Sequence, residues 1–236
     1  MAKHMRLWLY FIFTIILGLW WILLAFLIPN QFVELAGNIY KTCLIVILCV
    51  ILKRWNTSAF RPLDLLLAII PGMIELIGFA VPLYYYPGHV TILLYILGIV
   101  LTAIWEELFF RALPVQWIQI ESIYDIAFIT LVFSASHIFN ILTGSPLSTF
   151  LQIILAYCFG FFMMVLYLNT GNIVLNMFAH FTLNFCCNFY TLFTTSDESL
   201  FFKGEQFIVL GVVCLYCLVA GIILYVKSDQ HRFLTR

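Results

Sequence analysis

Charged residues punctuate this chain; they do not alternate with apolar ones. Apolar runs of the length that carries a helix across bilayer hydrocarbon, about 20 residues, follow one another with short polar breaks. We place about eight such spans. The first covers residues 7–28 and closes at Pro29-Asn30. The second covers roughly 39–52, short unless it begins near Phe32. The third covers 63–83, interrupted by Pro71-Gly72 and holding Glu75. The fourth runs from about 91 to 119, the fifth about 123–142 and the sixth about 147–168. The seventh covers about 173–193 and the eighth about 207–226. No internal repeat or linker divides them. The expectation is an all-α polytopic membrane protein of about eight helices, residues 1–236 forming one integral membrane domain.

Composition supports this reading. Of 236 residues, 64% are hydrophobic and only 9% charged, against about 25% charged in soluble domains. Net charge is zero and no basic tract is present, so nucleic acid is not an expected partner. The cysteines all fall in apolar runs and read as small buried hydrophobes. Cys214 and Cys217 have CxxC spacing, but mid-helix and without turns, so we assign them no redox or metal role. Lys3 and Arg6 precede an apolar run too long for a signal peptide and without a small-x-small cleavage site, so the first span is expected to be uncleaved.

Basic residues give an orientation. With the N-terminus inside, Lys3, Arg6, Lys53, Arg54, Arg61, Lys227, Arg232 and Arg236 are cytoplasmic and only Lys41 and Lys203 fall outside. Both termini are therefore expected in the cytoplasm. Asn56-Thr57-Ser58 spells a glycosylation acceptor on that same side and is read as chance.

Against this background one stretch stands out, Ile104-Trp105-Glu106-Glu107-Leu108-Phe109-Phe110-Arg111. A charge at the bilayer centre costs about 2.5–3.5 kcal/mol on insertion scales, so charges kept there point to function. Glu107 and Arg111 are four apart, share a helix face and can pair, a structural salt bridge. Glu106 lies about 100° round the helix and has no basic neighbour on that face. It is free to act as a general base or acid.

Two other spans carry a histidine each. Glu106 and His137 lie equally far, about 15 residues or roughly 22 Å, from the turn expected at residues 119–122. In an antiparallel hairpin they share one depth and can face each other. Phe133, one turn before His137, can wall a pocket, and Ser134, Ala135 and Ser136 let a neighbouring helix come close. On the seventh span His180 and Asn184 share a face, although a single such residue is commonly interhelical glue. Glu75 is a loose end that pairs Arg111 or lines a cavity.

Glu106-Glu107-x-x-x-Arg111, Phe133-x-x-x-His137 and His180-x-x-x-Asn184 resemble the three motifs of the CPBP family, the CAAX proteases and bacteriocin-processing enzymes also called Abi. They match in order, in spacing and in falling on the fourth, fifth and seventh of eight spans. The match covers roughly residues 91–190, the expected catalytic core. Ala112 departs from the glycine often found after the arginine.

The resemblance implies an intramembrane glutamate-type endopeptidase with its active-site cavity inside the bilayer. Glu106 and His137 would activate water, while His180 and Asn184 would donate to the oxyanion. Glu107 and Arg111 would hold the fourth helix. A carboxylate–histidine cluster also suits zinc, but no HExxH is present and asparagine is a poor ligand. No metal or other cofactor is expected. Substrates of that family include bacteriocins, pheromone precursors and prenylated proteins, and the composition suggests a prokaryotic cell membrane. Two other functions compete: an idle family member serving as membrane regulator or bacteriocin-immunity factor, and a transporter with a midplane carboxylate.

Overall fold

A computed structural model describes residues 2–52, 57–78, 89–120, 122–142, 145–193 and 204–228. Lys53, Arg54, Asn56, Lys203, Arg232 and Arg236 lie outside these residues, as does the Glu75 side chain. The chain is a helical membrane protein. Its elements are α1 (Lys3–Leu27), α2 (Asn30–Ile51), α3 (Pro62–Gly78) and α4 (His89–Glu107), then a π-helical turn (Leu108–Ala112) and α5 (Leu113–Trp117). These are followed by α6 (Ile123–Ser136), a 3-10 turn (His137–Leu142), α7 (Pro146–Thr170), α8 (Ile173–Phe193) and α9 (Gly204–Lys227). Among the described residues six stretches are long and apolar enough to cross a membrane, and parts of α3 and α8 are shorter apolar helices.

Several boundaries have local causes. Pro29 stops α1 and starts α2, so the second span begins at Asn30, well before its most apolar part. That places Lys41 in the middle of α2, not near the outer end of a span beginning at residue 39. Pro71 does not break α3; the helix runs through it, and Gly72 next to it has a packing role. A Cβ on Gly72 would lie 2.7 Å from the Thr182 side chain and 3.0 Å from its backbone, so only glycine lets α8 come this close.

The turn between the fourth and fifth spans falls where the hairpin reading puts it. The α5 helix stops at Trp117, and Gln119 takes a left-handed φ of 63°. Ser122 then caps α6, its Oγ accepting from Asp125 N at 3.2 Å while Asp125 Oδ2 accepts from Ser122 N at 3.0 Å. The start of α1 is clipped to this hairpin, Lys3 to Asp125 at 2.7 Å and Arg6 to the Trp117 carbonyl at 2.7 Å.

The π turn continues α4 without an exit from the bundle. Leu113 N–H reaches back five residues to the Leu108 carbonyl, and the Tyr10 hydroxyl donates to the Phe109 carbonyl at 3.3 Å. Such turns shift the helix face by a residue and recur at functional sites. The α7–α8 turn is fastened as well. Gly171 adopts φ 62°, Asn172 Oδ1 accepts from Leu175 N at 2.8 Å, and Asn172 Nδ2 donates to the Ser58 carbonyl at 2.5 Å. Ser58 Oγ in turn donates to the Thr170 carbonyl. The segment before α3 thus fixes where α8 starts.

Gly72→Val forces added side-chain atoms onto the Thr182 backbone. Overpacking of this kind costs about 1–3 kcal/mol. Thermal unfolding of the detergent-purified protein should show a lower midpoint for Gly72→Val, with Gly211→Ala as the control, since a Cβ there meets nothing within 4 Å.

Candidate active site

The fourth-span dipeptide sends its two carboxylates into different surroundings. Glu107 is completely buried. Its Oε1 lies 3.2 Å from Arg111 Nη1 and 2.7 Å from His180 Nδ1, and its Oε2 accepts from Asn176 Nδ2 at 3.3 Å. The Arg111 guanidinium, 1% exposed, is covered on one side by the Phe133 ring, 4.3 Å from the ring centroid. Both ion and counter-ion are therefore buried within the helix bundle. Asn176 also donates to the Met163 carbonyl at 2.8 Å, which ties α7 to the same cluster.

Glu106 has the opposite situation. It lines a cavity of about 610 Å³ whose wall also includes His137, His180 and Asn184. The nearest histidine nitrogen is His180 Nε2, 3.5 Å from Glu106 Oε2. The expectation concerned only the helix face that carries Glu106, and this neighbour is not on it. His180 reaches Glu106 from another helix, which spacing along α4 could not reveal.

The histidines are held in definite tautomers. A backbone carbonyl only accepts, so His137 Nδ1, 3.1 Å from the Phe133 carbonyl, carries a proton, and its Nε2 is the basic nitrogen. His180 Nδ1 faces the ionised Glu107 and carries a proton by the same reasoning. Its Nε2, 3.5 Å from Glu106 Oε2, can donate only when the ring is doubly protonated.

Phe133 is buried behind the two histidines and does not line the cavity wall. Its ring meets His137 edge-on at 5.1 Å, His180 at 6.2 Å and Phe110 at 4.9 Å. A Cβ on Gly160 of α7 would lie 2.8 Å from this ring. Gly160 thus lets α7 come close to α6 at Phe133 and Thr130. Among the described residues no three His, Cys, Asp or Glu side chains form a group spaced to hold a metal ion.

The stretch of chain that carries this site has a counterpart among known protein families. Residues 88–186 match the model of a family described as type II CAAX prenyl endopeptidase Rce1-like. In this segment the chain is similar to that CAAX-protease family. Glu106, Glu107, Arg111, Phe133, His137, His180 and Asn184 all fall inside the match, and α1 to α3 and α9 fall outside it. Neither the curated proteins nor the solved structures yield a match.

The sequence reading overlooked Asn176 and the polar residues of α2. Asn176 had a signal, since Asn176, His180 and Asn184 repeat every four residues on one face of α8. Glu34, Asn38 and Lys41 also line the cavity. Their common helical face was hidden by starting the second span at its most apolar part.

Losing a partner of Glu107 leaves a charge buried without compensation, which costs about 3–5 kcal/mol in buried pairs. Arg111→Met should therefore lower the unfolding midpoint sharply and reduce the yield of folded protein. Asn176→Ala removes one of three contacts and should cost less, about 1–3 kcal/mol. Both are read by thermal unfolding in detergent, and an Arg111→Met protein as stable as the parent would move Arg111 from the scaffold to the reaction.

Proposed function

We propose that this protein is an intramembrane glutamate-type endopeptidase that hydrolyses peptide bonds of membrane-associated peptides or proteins. The observation that supports it best is the gathering of Glu106, His137, His180 and Asn184, from three helices, on the wall of one cavity. The buried Glu107, by contrast, is wholly engaged by Arg111, His180 and Asn176.

In this reading a water between Glu106 and His137 loses a proton to that pair and attacks the scissile carbonyl carbon. His137 Nε2, the unprotonated nitrogen, is suited to the transfer. The carbonyl oxygen becomes an oxyanion, which the imidazolium Nε2–H of His180 and the Asn184 amide stabilise as preoriented donors. Collapse of the tetrahedral intermediate breaks the C–N bond, and the proton taken from water goes to the leaving amine. Hydrolysis requires no metal in this scheme. The whole chain acts as one integral membrane domain with residues 91–190 as its catalytic core, in a prokaryotic cell membrane with both termini cytoplasmic. Bacteriocin or pheromone precursors and prenylated proteins are the substrate classes to try first.

The test is cleavage of such peptides by the purified protein in liposomes, read by mass spectrometry. His137→Ala should abolish cleavage in a folded protein, and Asn184→Ala should lower kcat by about 10²–10³, the usual effect of losing one oxyanion donor. Cleavage should rise with pH from the acid side as the general base loses its proton. Activity should survive exhaustive chelation. About one zinc per chain, with activity lost on its removal and restored on its return, would replace the scheme by metal hydrolysis. Peptide binding without cleavage in any condition would instead leave an idle member that serves as regulator or immunity factor.

A further inference from the structure

Asn140 and Gln152 take no part in the scheme above, yet both line the cavity that Glu106 and His137 line. Gln152 is the one polar side chain between Thr149 and Tyr157 of α7. It follows Pro146, the first residue of that helix, by six residues, hence about 9 Å into a membrane-crossing element. A side-chain amide at that depth needs partners, because unpaired N–H and C=O groups are costly away from water.

Asn140 supplies one of them. Its Nδ2 donates to Gln152 Oε1 at 2.8 Å, which joins the 3-10 turn to α7. The bond occupies the Gln152 carbonyl and leaves its Nε2 donors, which meet no acceptor among the described residues. The 3-10 turn is held from its other side as well, where the Phe139 ring fills the space that a Cβ on Gly18 of α1 would take. Gln152 is thus oriented by a turn that two helices support.

That turn also sets a distance from the chemistry. Side chains three apart in a 3-10 helix eclipse, and the rise is about 2.0 Å per residue. Asn140 therefore stands in line with His137, about 6 Å further along. An extended peptide covers that distance in roughly two residues.

The need for such a donor is physical. A chain opened for hydrolysis gives up its own helical hydrogen bonds, and within a bilayer its carbonyls find no water in exchange. Among the carboxamides on the cavity wall, Asn38 is spent on the Leu94 carbonyl at 3.2 Å, and Asn184 belongs to the oxyanion. Gln152 has the donors to meet the chain beside the scissile bond, and an uncharged amide serves any carbonyl whatever side chain accompanies it.

We propose that Gln152, oriented by Asn140, donates to a backbone carbonyl of the substrate about two residues from the scissile bond. This is a substrate-positioning role and rests on the peptidase reading. A neutral hydrogen bond of this kind corresponds to roughly a 3–10-fold effect on kcat/KM.

The experiment uses an apolar peptide substrate and a set of analogues, each with one backbone carbonyl oxygen replaced by sulfur, a much poorer acceptor. The scissile bond itself is left unchanged. Each peptide is incubated with the full-length protein in liposomes, and kcat/KM is read by mass spectrometry. At one position, about two residues from the cleavage site, the exchange should lower kcat/KM roughly 3–10-fold. Gln152→Leu should cleave the all-oxygen peptide more slowly by a similar factor and lose nothing further with that analogue. Asn140→Leu, which keeps the Gln152 amide and removes its anchor, should narrow the discrimination. Oxygen and sulfur peptides are compared within one variant, so a change in folded fraction cancels. A Gln152→Leu protein that is slower on every peptide and still discriminates at that position would overturn the proposal, because Gln152 would then serve the fold. So would a parent protein that treats all analogues alike, and full discrimination in Asn140→Leu would overturn the part given to Asn140. If no peptide is cleaved, the peptidase reading fails by itself. Binding of the same set then decides on Gln152: weakening at one position that Gln152→Leu erases supports the contact, and uniform binding overturns it.

Discussion

A single carboxylate sets the register of this bundle. Glu107 is fully buried, where water cannot solvate it, and it is tolerable there only with a full set of partners. Those partners come from two places in the chain. Arg111 follows one turn later through the π-helical segment, and His180 and Asn176 come from one face of α8. Phe133 of α6 covers Arg111, and Asn176 reaches the Met163 carbonyl of α7. Helices α4, α6, α7 and α8 are thereby held at one level. A shift of any of them by a turn would strand a charge in hydrocarbon, and that penalty gives the arrangement its precision.

The same device explains why two adjacent acids are useful. Neighbours on a helix point about 100° apart, so fixing Glu107 aims Glu106 in a determined direction. That direction is into the cavity, towards the residue that Glu107 also orients. His180 is shared between them, with Nδ1 on Glu107 and Nε2 3.5 Å from Glu106. One member of the pair is locked into the scaffold, and the other lines the cavity. Sites of this kind depend on a supporting layer that fixes tautomer and orientation, and here that layer is Glu107, Arg111, Asn176 and Phe133.

Much of this was legible in the sequence because depth and helix face are arithmetic. Counting from the turn at residues 119–122 put Glu106 and His137 at one level, and both line one cavity. Spacing by four paired Glu107 with Arg111, and the structure has that pair at 3.2 Å. What spacing cannot give is the partner from another helix. Nothing along α4 indicates that His180 is engaged by both acids, or that its bond to Glu107 decides which nitrogen carries a proton. Lys41 was misplaced for a different reason. Apolar runs locate the most hydrophobic part of a span, and a helix beginning at Pro29-Asn30 has a polar face that lowers that signal where the cavity lies. Pro71 misled in the other direction, since a membrane helix can continue through proline when neighbours satisfy the freed carbonyl.

The division of labour between Glu106 and Glu107 is tested most directly by measuring thermal stability and peptide cleavage side by side for Glu106→Gln and Glu107→Gln. Each change keeps size and removes one charge. The account predicts that Glu106→Gln melts like the parent and cleaves nothing. It predicts that Glu107→Gln melts at a clearly lower temperature, because Arg111 is left charged and buried. Its remaining folded fraction should still show measurable cleavage. A stable, inactive Glu107→Gln beside a Glu106→Gln that still cleaves would contradict the account and exchange the roles of the two carboxylates.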